Sequence, residues 1–168
     1  MSHQFSFDDV FIRTGKPCDS VRLAEIERRI GFVLPETYRQ IVMGCGGGLI
    51  RGGINRIRED DELGCMVKTL YGNGQPTDGY DDHSLDKLCL PLMETWEMPQ
   101  WGFFVGEADG EIHTPILLNL TNPMYPPGAL VCVDLEVEEE VLIAESFDAL
   151  WQVIQRNVEK ARADTTGF

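Results

Sequence analysis

Four residues that could bind a metal or exchange protons, Glu107, Asp109, Glu111 and His113, stand at every second position of the chain. On a continuous strand they would share one face, where carboxylates and an imidazole can ligate a divalent metal or act as general acid and base. Asp109 precedes Gly110, however, and this pair is typical of a hairpin turn, which would divide the face. We therefore expect an exposed acidic hairpin rim, and a small metal-dependent enzyme stays open as an alternative.

A second acidic group lies in a polar segment that leads into a predicted helix. A calcium-binding loop requires acids at alternating positions, a central glycine and a closing glutamate, and this segment lacks that pattern. We interpret it as a solvated or partner-facing loop. Its ionisable residues are Asp78, Asp81, Asp82, His83 and Asp86.

The glycine-rich stretch at residues 44–48, Gly-Cys-Gly-Gly-Gly, first suggests a phosphate-binding loop. Such a loop needs its glycines after a strand and before a helix, so that the helix N-terminus faces the anion. Here the glycines follow a helical segment that begins at Pro35. Proline favours the first turn of a helix, and glycine favours the position after its end. The stretch therefore predicts the end of a helix.

The sequence offers little to a nucleophilic mechanism. It has no G-x-S-x-G motif, and its only histidines are His3, His83 and His113. The five cysteines are widely spaced without a C-x-x-C pair, which argues against a disulfide framework and a zinc site, and we expect most of them to be buried. We predict no catalytic residue, no metal and no cofactor, with a structural hydrogen bond for His113.

Capping residues and apolar spacing predict the elements that position these groups. Asp19 or Ser20 caps a first helix that ends at Gly31, and a second helix runs from Pro35 to about Met43. A helical piece is expected from residue 84 to about 92–96. Extended segments are expected near residues 49–57, 65–71, 101–106, 116–120, 129–135 and 141–144, the last two forming a hairpin around an acidic tip at 136–140.

Ser146 caps a final helix with one apolar stripe, and we expect fraying beyond Arg162. Helices first, grouped strands later and a closing helix predict a single α+β domain over residues 1–168, with its core at about 20–158. Two N-terminal helices, a central, mostly antiparallel twisted sheet and a C-terminal helix packed on it would form that domain. The stripe consists of Phe147, Leu150, Trp151, Ile154 and Val158.

The charge of the chain indicates the kind of partner it would attract. Its 168 residues include 14 Lys and Arg against 28 Asp and Glu, a formal net charge of -14. Such a protein repels nucleic acid and anionic membranes and attracts basic proteins, although acidity alone also serves solubility. The basic residues concentrate in 13–58 and the acids in 59–148. Without a signal peptide or an apolar run of roughly 18 residues, we expect a cytoplasmic protein.

Several motifs occur in an order that is similar to that of the SUKH superfamily, which groups fungal cell-wall assembly regulators with many bacterial immunity proteins. The resemblance covers about residues 20–158. It includes the strand Ala-Leu-Val-Cys-Val-Asp at 129–134 and the segment Leu-Met-Glu-Thr-Trp-Glu-Met-Pro at 92–99. The residues that carry the motifs structurally are Gly31, Leu34, Pro35, Tyr38, Gly46, Gly47, Trp96, Ala144 and Phe147.

The chain departs from one bacterial branch of that superfamily at two places. That branch carries Gly-His-Asp and, a few residues on, Asp-Tyr. Here the corresponding residues are Ile112-His113-Thr114 and Asn119-Leu120. A function that needs those two carboxylates is therefore not expected of this protein.

The resemblance implies a non-enzymatic binding scaffold, and many bacterial relatives are thought to block a secreted toxin. We expect an immunity protein, monomeric or weakly dimeric, that binds a basic toxin such as a nuclease. A regulatory adaptor without a toxin partner is the alternative. The expected contact residues are Asp78, Asp81, Asp82, Glu107, Asp109 and Glu111, with Glu138, Glu139 and Glu140 as a second patch.

Overall fold

Most helices and strands lie close to the positions predicted from capping residues, glycines, prolines and apolar spacing. The computed structural model describes residues 5–59, 66–74, 84–108 and 113–166. Helices α1 to α4 span Ser20–Ile30, Glu36–Cys45, Leu90–Thr95 and Phe147–Thr166, and a π-helical turn at Leu85–Cys89 precedes α3. Strands β1 to β7 span Phe11–Thr14, Gly48–Ile50, Val67–Leu70, Gly102–Ala108, Pro115–Asn119, Leu130–Asp134 and Glu139–Ala144.

Both N-terminal helices end on left-handed glycines, as predicted. The Asp19 carboxylate caps α1 by accepting a hydrogen bond from the Arg22 N–H at 2.9 Å. Gly31 ends α1 at φ 89° and Gly46 ends α2 at φ 77°. Pro35 is the N-cap of α2 rather than its first residue, and the helix continues two residues past Met43. The predicted helices are therefore confirmed, with small shifts at their ends.

The strands form one antiparallel meander. Within the described residues, seven strands lie side by side in sequence order, each antiparallel to its neighbours. This confirms the predicted α+β class. The first strand was not predicted, because it is only four residues long and is half exposed. The segment at 49–57 was predicted too long: β2 stops at Ile50, and Gly53 turns the chain at φ 89°.

Tyr38 joins α2 to the sheet and to α4. Its side chain is fully buried, and its hydroxyl donates to the Tyr71 carbonyl at 2.6 Å, with the Val105 carbonyl 3.2 Å away. Its ring stacks on Phe147 with 4.5 Å between centroids. Burial raises the pKa of Tyr38 well above its usual value, so the hydroxyl remains a donor. One side chain thus fixes three elements around the core.

The C-terminal helix is longer than the sequence suggested. Ser146 caps it through the Ala149 N–H at 3.0 Å, as predicted, but the helix continues to Thr166, so the expected fraying beyond Arg162 is wrong. Arg162 pairs with Asp9 near the N-terminus, a partner that local sequence cannot reveal. In the ranges described, no helix combines the length and apolar character needed to cross a bilayer.

Glycines allow the backbones of three chain segments to contact one another directly. The Gly15 N–H donates to the Gly47 carbonyl at 2.9 Å, and the Asn73 N–H donates to the Gly46 carbonyl at 3.1 Å. A Cβ atom added at Gly72 would lie 2.2 Å from the Gly46 oxygen. The glycine stretch is therefore more than a helix end, because it is also the point where the segments around residues 15, 46 and 73 meet. We call this point the glycine crossing.

The glycine crossing predicts a large cost for one methyl group. Gly72→Ala should lower the free energy of unfolding by about 1–3 kcal/mol or more, because backbone must move to admit the Cβ atom. Gly52→Ala is the matched control, since its Cβ would meet nothing within 4 Å, and it should be neutral or slightly stabilising. Urea unfolding of both variants measures the difference, and equal stabilities would contradict the steric account.

Candidate protein-binding surface

A groove of about 420 Å³ lies between the end of α3 and the β6–β7 hairpin, and we call it the acidic groove. Four of its lining side chains are carboxylates, and no lysine or arginine of the described chain lines it. The lining residues are Trp96, Glu97, Pro99, Val133, Asp134, Leu135, Glu138 and Glu140. An anionic cleft beside an indole ring suits a cationic group.

The first wall of the acidic groove comes from the end of α3. The Glu97 N–H donates to the Glu94 carbonyl at 3.2 Å, and the Met98 N–H donates to the Met93 carbonyl at 2.9 Å. This pair of bonds is the Schellman motif, which places its C′ residue in the left-handed region. Glycine is usual there, but here the residue is Glu97 at φ 49°. The fold thus holds a carboxylate at the groove at a conformational cost.

The second wall comes from the hairpin turn between β6 and β7. Asp134 accepts hydrogen bonds from the N–H groups of Glu136 at 2.9 Å and Val137 at 3.3 Å, which tightens the turn. Glu138 closes the turn at φ 58°. Among the described residues, Glu97 and Glu138 are the two non-glycine residues with positive φ, and both line this groove.

Trp96 stands at the rim of the acidic groove and is 39% exposed. The His113 ring meets the indole edge-on with 5.7 Å between centroids, and the His113 carbonyl accepts from the Leu135 N–H at 2.9 Å. The Nδ1 atom of His113 lies 3.8 Å from Glu136 Oε1. His113 therefore ties α3 to the hairpin through its ring and its backbone.

The predicted contact residues are distributed unevenly over the structure. Glu138 and Glu140 line the acidic groove, and Glu140 also accepts a hydrogen bond from the Tyr125 hydroxyl at 2.8 Å. Glu139 is exposed on β7 beside them. Glu107 is half-buried on β4. The pKa of Tyr71 is raised first by the burial of Tyr71 itself and next by the negative charge of Glu107. Asp78, Asp81, Asp82, Asp109 and Glu111 lie outside the described residues.

The sequence analysis did not select Glu97 and Asp134, which also line the groove. Glu97 lies within the quoted segment 92–99, but only the helix-end geometry shows that it borders the groove beside the hairpin. Of the four alternating residues at 107–113, the structure describes Glu107 and His113. In the described part of the chain, no three His, Cys, Asp or Glu side chains come close enough to hold a metal ion.

Asn119, which occupies one of the departures from the bacterial branch, has a structural role. Its side chain is buried, and its amide nitrogen lies 2.9–3.0 Å from the carbonyl oxygens of Asn122, Tyr125 and Pro126. Its side-chain oxygen accepts from the Asn122 N–H at 2.9 Å. A carboxylate here would face the three carbonyl oxygens without a donor. The amide therefore suits the connection between β5 and β6.

Asp86 was grouped with a solvated acidic loop, and that interpretation is wrong for this residue. Its side chain is fully buried and accepts two hydrogen bonds of 2.8 Å from the Arg22 guanidinium. Arg22 also donates through Nε to Asn73 at 2.8 Å. Burial alone would raise the pKa of Asp86, but hydrogen bonds from Arg22 and Ser84 and the Arg22 charge outweigh it and lower the pKa. The pair fixes the π-helical turn to α1.

Comparison with known proteins identifies a family relationship. The model of the SMI1 / KNR4 family (SUKH-1) matches residues 17–152, which is most of the chain. A search of curated proteins finds no match. The matched range begins just before α1, ends within α4 and includes every residue that lines the acidic groove.

The two left-handed glutamates predict stabilising substitutions. A non-glycine residue in the left-handed region costs about 1–2 kcal/mol, and a change to glycine removes this cost. Glycine loses more conformational freedom on folding, which cancels about 0.5–1 kcal/mol of that gain. Glu97→Gly and Glu138→Gly should therefore each raise the free energy of unfolding by about 0.5–1 kcal/mol. Glu94→Gly, within α3, is the control and should lower it by a similar amount. Urea unfolding tests this, and a destabilised Glu97→Gly variant would be evidence against conformational strain.

The Arg22–Asp86 pair predicts an acid-dependent stability. Asp86→Asn should lower the free energy of unfolding near neutral pH by about 1.5–3 kcal/mol, because charged hydrogen bonds are lost. The folded-state pKa of Asp86 is depressed, so the advantage of the native residue is present above about pH 4 and is lost as pH falls through the folded value. Denaturant unfolding of both proteins from about pH 6 to about pH 2 measures this. A constant difference across that range would contradict the assignment.

Proposed function

This chain belongs to the SMI1 / KNR4 family (SUKH-1), and on that premise we propose that it is a non-enzymatic protein-binding domain. We propose further that it acts as an immunity protein, which binds a cognate toxin and blocks it. The observation that carries the proposal is the acidic groove, in which an exposed indole stands beside four carboxylates.

The acidic groove has the composition of a binding site for a basic protein. Tryptophan is enriched among the residues that dominate binding energy at protein interfaces, and an exposed indole face accepts a lysine or arginine side chain. The carboxylates of Glu97, Asp134 and Glu138 add a negative field at the same place. With a net charge of -14, the whole protein would accelerate the approach of a basic partner.

A nuclease toxin suits this surface, because it must carry a basic cleft to hold its nucleic acid. An acidic inhibitor can occupy that cleft by presenting carboxylates where the substrate would present phosphates. The indole of Trp96 would then take the place of a stacked nucleic-acid base and anchor the complex. This toxin class is favoured by charge complementarity.

The contacts of the acidic groove favour binding over catalysis. Asp134 accepts backbone hydrogen bonds in the hairpin turn, and Glu140 accepts from Tyr125. The groove has no serine, cysteine or histidine among its described lining residues. Its carboxylates are thus presented on a fixed surface rather than paired with a nucleophile.

The test of the immunity role starts in the native cell. The tagged chain should capture a basic protein, identified by mass spectrometry, which arrests growth when it is expressed alone. Co-expression of the chain should restore growth. Capture of a non-toxic cellular protein would instead indicate the regulatory adaptor, and a toxin whose effect persists during co-expression would contradict neutralisation.

Charge reversal in the groove should weaken binding without unfolding the protein. Glu97→Lys/Glu138→Lys changes the net charge by +4 and should slow association with the captured toxin at least about tenfold. Glu145→Lys/Glu159→Lys makes the same charge change at exposed residues outside the groove. Association rates from surface plasmon resonance compare the two, with thermal unfolding as the folding control. Equal rates for both double variants would contradict the assignment of the groove.

A further inference from the structure

A second groove lies beside α3, and most of its lining residues are apolar. It encloses about 650 Å³ between α3, the last residue of α1, the start of β4 and Leu120, which follows β5. Six of its lining residues are apolar and define what we call the apolar groove: Ile30, Leu90, Met93, Met98, Phe103 and Leu120. Such a volume falls within the range of sites that bury a bound group.

Large apolar side chains are left exposed around α3. Leu90 is 42% exposed and Leu120 is 39% exposed, and both line the apolar groove. Trp96, 39% exposed, is the C-cap of α3, whose first residue is Leu90. Single exposed apolar residues are ordinary on a protein surface, but three around one helix form a patch that favours a binding role.

The apolar groove and the acidic groove adjoin at Glu97. Glu97 lines both, and Glu94 adds a second carboxylate at the edge of the apolar groove. Neither groove has a lysine or arginine among its described lining residues, although the chain contains 14. The complement of this combined surface has an apolar face bordered by positive charge.

We infer that the two grooves form one docking surface for an amphipathic helix of a basic protein, an inference that rests on the proposed protein-binding function. Leucine-like side chains of that helix fill the apolar groove, and a flanking lysine or arginine reaches Trp96 and the acidic groove.

The sheet topology favours a helix over an extended segment. At the apolar groove β4 contributes Gly102 and Phe103, and α3 rather than β3 lies against this end of the strand: β3 pairs with Gly106–Ala108, and the Phe104 N–H donates to Met93 Sδ at 3.4 Å. α3 therefore covers the edge of β4 at which a partner strand could add. An occupant must satisfy its own backbone hydrogen bonds, as a helix does when it lies in a groove.

A synthetic peptide tests the surface without the native partner. The probe is a fluorescein-labelled, 18-residue helical peptide with leucines along one face and arginines on the flank. The control peptide has the same composition, permuted so that no face is apolar. Fluorescence anisotropy should show at least about tenfold tighter binding of the amphipathic peptide. Equal affinity for the two peptides, or no binding by either, would overturn the inference.

Two matched variants locate the binding. Leu90→Asp and Val21→Asp each replace an exposed apolar side chain on a helix by a carboxylate. Leu90→Asp should weaken peptide binding at least about tenfold, and Val21→Asp should leave it within about twofold. Equal effects of the two variants would overturn the inference. Circular dichroism on heating confirms that both variants fold.

The outcomes separate the docking surface from the toxin role. If the peptide binds at Leu90 but the native cell yields no toxin, the immunity proposal fails and the docking surface stands. If a toxin is captured and neutralised but Leu90→Asp leaves peptide binding unchanged, the docking surface is wrong and the immunity proposal stands.

Discussion

The close approach of backbone at the glycine crossing is the constraint on which the rest of the structure depends. The carbonyls of Gly46 and Gly47 accept hydrogen bonds from the N–H groups of Asn73 and Gly15, so the end of α2, the chain after β1 and the chain after β3 are joined without side chains. A methyl group at Gly72 would force the segments apart. Tyr38 then holds α2 against the residue after β3 and against β4.

The same crossing sets the position of the proposed binding surface. The Leu85 N–H donates to the Gly72 carbonyl at 2.9 Å, which starts the π-helical turn, and the Arg22–Asp86 pair fixes that turn to α1. α3 follows directly and ends at the Schellman motif that presents Glu97. Trp96 is thus positioned by a series of contacts that begins at the glycines and includes the Arg22–Asp86 side-chain pair. The identifying motifs of the family and the proposed function are linked through this path.

The helices could be predicted because their ends are set by residues close in sequence. Asp19 and Ser146 cap helix N-termini, and Gly31 and Gly46 end helices in the left-handed conformation. The contacts that were missed are long-range. Asp86 reads as one acid among several in a polar loop, and only its pairing with Arg22 buries it. Glu97 could not be assigned to the groove because the other wall of that groove is a hairpin roughly forty residues later in the chain. The acidic tip was predicted from composition, whereas the groove depends on how that tip meets α3.

The central claim is that a partner binds where the end of α3 meets the β6–β7 hairpin. Hydrogen–deuterium exchange of the protein alone and in complex with its captured partner tests this claim most directly, because it reports each backbone segment separately. We predict slower exchange in the complex at residues 94–98 and 134–139, with α4 and the segment 51–58 unchanged. Protection confined to α4 and 51–58, with none at α3 or the hairpin, would contradict the account.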